Sequence, residues 1–139
     1  MNYANNIKIV SMRGKLSSEP GWIDVRLDRT SLLGNPFIYA KENLREQCIA
    51  AFRKWLWACI KSYQINDGDT VIDPTQFLVE GLSISKTWKQ PTAGQVVREL
   101  AQLEGALYSG HKLRLLCWCG EGRCHLDVVK SCLLWMLSN

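Results

Sequence analysis

The chain has 139 residues, 47% hydrophobic and 22% charged, with a formal net charge of +4. That length fits one domain and suffices to bury a core without disulfide staples, and the balance is an ordinary globular one with no sign of disorder. The 17 Lys and Arg are spread along the chain rather than gathered in a stripe, so nucleic acid is not favoured as a partner, whereas a local pair such as Arg26 and Arg29 could hold a small anion.

No apolar stretch approaches the roughly 18 residues a bilayer span requires. The N-terminal Met1-Asn2-Tyr3-Ala4-Asn5-Asn6 lacks the apolar run of a secretory leader. A cytoplasmic protein with reduced thiols and no membrane partner is therefore expected. Of the 6 cysteines, Cys48, Cys59 and Cys132 fall in helical patterns as small buried hydrophobes, which leaves Cys117, Cys119 and Cys124 as the chemically interesting set. Six tryptophans are many for this length. Trp55, Trp57, Trp88, Trp118 and Trp135 are expected mostly as core or pocket walls, with stacking on a flat ligand as a second use.

Ile7 to Met12 reads as a short strand, and Arg13 to Gly21 as a loop rich in Gly, Ser and Pro. Trp22-Ile23-Asp24-Val25-Arg26 alternates in hydrophobicity as a second strand should. Leu27 to Phe37 contains Gly34-Asn35-Pro36 and must be a shaped loop. From Glu42 to Lys61, Leu44, Cys48, Ile49, Phe52, Trp55, Leu56, Cys59 and Ile60 recur at helical spacing. Residues 62–90 read as an insertion covering part of the domain, with Thr70-Val71-Ile72 and Phe77-Leu78-Val79 as short strands or packed loop. Pro91 suits the first turn of a helix whose buried stripe is Val96, Val97, Leu100, Leu103 and Leu107, ended by Gly110. Lys112 to Cys119 is apolar apart from Arg114, the pattern of a strand buried on both faces of a parallel sheet. A last helix runs from Cys124 to Leu137. Together these elements predict one α/β domain over 1–139, a compact three-layer, Rossmann-like sandwich with a small, mainly parallel sheet flanked by helices.

The turn Cys117-Trp118-Cys119-Gly120-Glu121-Gly122-Arg123-Cys124-His125 lies where α/β sheets bind ligands, beyond the carboxyl end of a strand and before a helix N-terminus that suits an anion. Gly120 and Gly122 allow close backbone approach, and a thiol there, beside Arg123 or His125, could act as a nucleophile. Three other readings stay open. The cysteines could be plain core. Cys117, Cys119, Cys124 and His125 could hold zinc, although their spacing is not that of paired knuckles. Cys117 and Arg123 also match the cysteine and arginine of a phosphatase loop.

Arg29-Thr30-Ser31-Leu32-Leu33-Gly34-Asn35-Pro36-Phe37, then Arg45 opening a helix, then Cys117-Trp118-Cys119 and Cys124-His125 form an ordered set of motifs. This order resembles the domain of unknown function 4326 family, found in bacteria and frequently in phages, which pairs an arginine-plus-LGNPF loop with a CWC…CH turn. The likeness covers about residues 22–60 and 98–137. Residues 62–90 have no counterpart in it, and Gly120-Glu121-Gly122-Arg123 replaces the family's usual proline-containing link. The resemblance implies a compact α/β fold and no established activity.

If the two motifs share one sheet edge, Arg26, Arg29, Asn35 and Arg45 face the cysteine turn and bind phosphate and ribose or base, with Trp118, Gly120, Gly122 and Arg123 completing the pocket. The expected function is binding of a nucleotide-type or other phosphate-bearing small ligand, with Cys124, His125 and Cys119 as groups that could act on it. The alternatives are a non-catalytic, phage-type protein that sequesters a nucleotide signal, and a zinc or protein-interaction module. No cofactor is expected, and a homo-oligomer is left open. A plain structural role for the loop would have Gly34 and Pro36 shape a turn, Phe37 fill the core and Arg45 point to solvent.

Overall fold

The computed structural model describes residues 2–14, 16–65, 67–118 and 124–138. In chain order its elements are β1 (Ile7–Ser11), β2 (Trp22–Arg26), β3 (Phe37–Tyr39), α1 (Arg45–Gln64), β4 (Leu82–Ile84), α2 (Ala93–Tyr108), β5 (Lys112–Cys117) and α3 (His125–Leu137). Among the described residues β1, β5 and β2 form a parallel sheet in that spatial order. Leu115 of β5 lies opposite Ile9 on one side and Val25 on the other. Being central explains why the segment is nearly all apolar: both of its edges and both of its faces are occupied, and Leu113, Leu115 and Cys117 are buried in the core.

The alternate face of β5 carries Arg114, only 5% exposed. Its guanidinium bonds both carboxylate oxygens of Asp24 on β2, at 2.6 and 2.9 Å, and the Ser17 carbonyl at 3.0 Å. The loop between β1 and β2 thus folds over this face, and the bidentate pair keeps the buried charge satisfied. On the opposite face Leu113, Leu115 and Cys117 join Phe52, Trp55, Leu100, Leu126 and Val129 of the three helices. The fold is mixed α/β, a small three-stranded parallel sheet with helices.

Several boundaries differ from the sequence reading, for local reasons. Strand β5 ends at Cys117, whose carbonyl accepts the Met12 N–H at 2.6 Å just beyond β1. Helix α2 starts after Pro91, because the Thr92 hydroxyl accepts the Gln95 N–H and the Gln95 side chain returns a bond to the Thr92 N–H, a capping box. Neither Thr70–Ile72 nor Phe77–Val79 is a strand. The Asp73 carboxylate caps a short 3-10 turn at Pro74–Phe77, and the Trp55 indole N–H holds the Ile72 carbonyl at 3.2 Å. Pairing resumes at β4, antiparallel to β3. Trp55 is fully buried, but Trp57 and Trp135 are each 44% exposed and stack edge to face on the outer sides of α1 and α3. No helix among the described residues is long and apolar enough to cross a membrane.

Candidate functional site

Because β1, β5 and β2 run parallel, their carboxyl ends share one edge of the sheet. Each end leads into a residue that faces the same cavity of about 560 Å³: Arg13 after β1, Arg26, Asp28 and Arg29 at and after β2, Cys117 and Trp118 from β5. The N-terminal turn of α1 adds Arg45 and Cys48, and that of α3 adds His125 behind its cap Cys124. Binding cavities for small ligands commonly fall between about 300 and 1,000 Å³, the size range of this one.

Asp28 is the hub of the wall. Its carboxylate accepts the Arg26 Nε–H at 2.6 Å, the Thr30 N–H at 3.0 Å, the Thr30 hydroxyl at 2.5 Å and the Trp118 indole N–H at 3.1 Å. Burial pushes the carboxyl up, but the bonds from Thr30, Arg26 and Trp118 outweigh it and bring it down to about 2. Arg26 stays exposed and lies 5.9 Å from the centre of the Trp118 ring. Trp118 is half exposed, so an aromatic surface is presented at the cavity mouth beside a guanidinium.

The loop that follows is held by its own side chains. Asn35 is buried; its Oδ1 accepts the Phe37 N–H at 2.9 Å, and its Nδ2 donates to Cys48 Sγ at 3.5 Å. Phe37 is fully buried. Gly34 packs on the backbone of Asp28 and Arg29 so closely that a Cβ would sit 2.7 Å from the Arg29 Cα. The close approach seats Arg29, whose Nη2 donates to the Phe37 carbonyl at 2.8 Å. Arg29 Nε is buried and has no hydrogen-bond partner among the described residues. Arg45 is not solvated: its side chain is 19% exposed, its Nη2 pairs with Glu42 at 2.8 Å, and its Nε donates to the Tyr39 hydroxyl at 3.3 Å. Arg13 is tied to the Trp118 carbonyl at 2.7 Å.

At the back of the cavity Cys117 Sγ and Cys124 Sγ are 3.7 Å apart. Cys124 is the N-cap of α3; its sulfur accepts the Leu126 N–H at 3.3 Å, and its own N–H donates to Asp127 at 2.9 Å. His125 Nε2 lies 3.1 Å from the Leu27 carbonyl. A carbonyl can only accept, so Nε2 carries the proton and, in the neutral ring, Nδ1 holds the lone pair. The Phe52 ring meets the imidazole edge-on at 5.1 Å.

Of the residues singled out from sequence, Arg26, Arg29, Asn35, Arg45, Trp118, Cys124 and His125 line this one cavity. Cys119, Gly120, Gly122 and Arg123 lie outside the described residues. Sequence reasoning missed Arg13, Asp28, Tyr39 and Glu42, which the fold brings in from loop and edge positions. Asp28 carried a signal that could have found it, since Asp28-Arg29-Thr30 is an Asx-turn pattern directly after a strand. Among the described residues no group of three or more His, Cys, Asp and Glu is placed to hold a metal ion.

These features define a small α/β protein with an arginine-lined cavity at the carboxyl edge of a parallel sheet. A family model, described as Domain of unknown function (DUF4326), matches residues 11–135, and the chain belongs to that family. No curated protein and no solved structure gives a significant match.

Proposed function

We propose that the cavity binds a small phosphate-bearing ligand of nucleotide type. The observation that carries this reading is the convergence of Arg13, Arg26, Arg29 and Arg45 on one cavity, against the carboxylates of Asp28 and Glu42, with Arg29 Nε buried and unpartnered among the described residues. A buried donor without an acceptor costs about 1–3 kcal/mol, and an incoming anionic oxygen would remove that cost. Trp118 offers its exposed ring to a base at the mouth. A Rossmann-like, three-layer reading of the fold is consistent with the same place, since such sheets hold ligands beyond the carboxyl ends of their strands.

A second reading, in which the ligand is also acted upon, is favoured by Cys124. Its sulfur sits at the first turn of α3, where a helix N-terminus favours a thiolate, and His125 follows it. Sequestration without chemistry requires only the arginines.

The test is mass spectrometry of small molecules released when the purified protein is denatured, followed by calorimetric titration of nucleoside mono-, di- and triphosphates and cyclic nucleotides. A phosphate-bearing ligand bound by the wild type, and lost in Arg29→Ala, supports the proposal. Binding that survives unchanged in both Arg29→Ala and Arg45→Ala sinks it. A ligand recovered chemically unaltered after long incubation decides for sequestration over catalysis.

A further inference from the structure

We infer that Cys117 and Cys124 form a thiol–disulfide exchange site that takes a small anionic disulfide through the cavity. This stands apart from the nucleotide reading, because it rests on the thiols and on the charge of the walls and not on the ligand the arginines hold.

Three observations carry it. The two sulfurs are 3.7 Å apart, in contact, against a disulfide bond of about 2.05 Å. Both thiols line the cavity, and each is under 5% exposed. Cys124 caps α3 and receives the Leu126 N–H, an arrangement that stabilises a thiolate.

The exchange runs in two displacements. The Cys124 thiolate attacks one sulfur of the small disulfide, forming a mixed disulfide and expelling one thiolate. Cys117, after losing its proton to water, attacks the Cys124 sulfur; the Cys117–Cys124 bond forms and the second small thiolate leaves. Two protein thiols are oxidised, one small disulfide is reduced to two thiols, and the two protein protons end on the released thiolates. Arginines at Arg13, Arg26, Arg29 and Arg45 favour a disulfide bearing carboxylates.

The test exposes the reduced full chain to oxidised glutathione and reads the intact mass and the tryptic map. Cleavage after Arg114, Arg123 and Lys130 puts Cys117 and Cys124 on separate peptides, so their bond joins two fragments. The wild type is expected to lose two hydrogens with the link at Cys117–Cys124, and to react roughly tenfold faster than with the neutral hydroxyethyl disulfide. Cys117→Ser is expected to stop with glutathione retained on Cys124. If that variant does not fold, the wild-type map still decides. All 6 thiols surviving an exposure that oxidises an equimolar dithiol peptide, or fragmentation that places the link at Cys119 or Cys48, would overturn the assignment.

Discussion

The Trp118 indole N–H donates to Asp28 Oδ2 at 3.1 Å, joining the loop after β2 to the end of β5 across 90 positions of sequence. Through this bond the aromatic mouth of the cavity and its cationic wall are one mechanical unit, since the same carboxylate holds Arg26 and Thr30.

Asp28 should make stability depend on acid. Its folded-state carboxyl lies at about 2, below the usual 3.8, so its contribution is fully present above about 4 and is lost as pH falls through 2. The shift corresponds to about 2 kcal/mol. Urea midpoints measured between pH 5 and pH 2 should fall more steeply for the wild type than for Asp28→Asn. Equal slopes would remove Asp28 from the hub.

Arg29→Lys should not rescue Arg29→Ala. A lysine cannot both reach the Phe37 carbonyl and present a second, buried donor to the cavity as the guanidinium does. Both variants are expected to weaken binding of the nucleotide identified by titration by about 1.5–3 kcal/mol, roughly ten- to a hundredfold. Calorimetry of the two variants side by side checks this, and wild-type affinity in the lysine variant would contradict it.

Gly34→Ala tests the close approach of the loop to itself. The added methyl would run into the Asp28 carbonyl and the backbone of Arg29, neither of which can rotate away. A loss of about 1–3 kcal/mol in denaturant unfolding is expected, with ligand affinity falling as Arg29 is displaced. A variant as stable as wild type would mean the loop relaxes freely.

Arg114→Met and Asp24→Asn should each lower the denaturation midpoint, and the double variant should fall short of their sum, because each single change strands the other partner of a bidentate pair. Additive effects would show that the pair is not coupled.

The regular elements were legible where their pattern repeats over enough residues. Trp22–Arg26 was read with its observed bounds, and the stripes of α1 and α2 were visible because burial on one helix face imposes a 3.6-residue period. The ribbon of β3 and β4 was not, since strands of three residues are too short to show a period of two. Arg29 and Arg45 could be named from their motifs, and Arg26 from its place beside Arg29. Arg13 could not, because what places it is a bond to the Trp118 carbonyl, 105 positions away. Asp28 was legible only in its local turn, not in its bond to Trp118, 90 positions away, and the pairing of Glu42 with Arg45 three residues on was overlooked.

The spatial order β1–β5–β2 has a consequence for how the chain is made. The two outer strands are finished early in synthesis, yet among the described residues each pairs with a segment 90 (β2) or 106 (β1) positions later. Until β5 emerges, β1 and β2 have no ladder to join, whereas α1 and α2 can already pair through their apolar stripes. Pairing this distant in sequence slows folding, and the sheet cannot close before β5 has been made. The cavity, which draws on the ends of all three strands, comes into being only at that step.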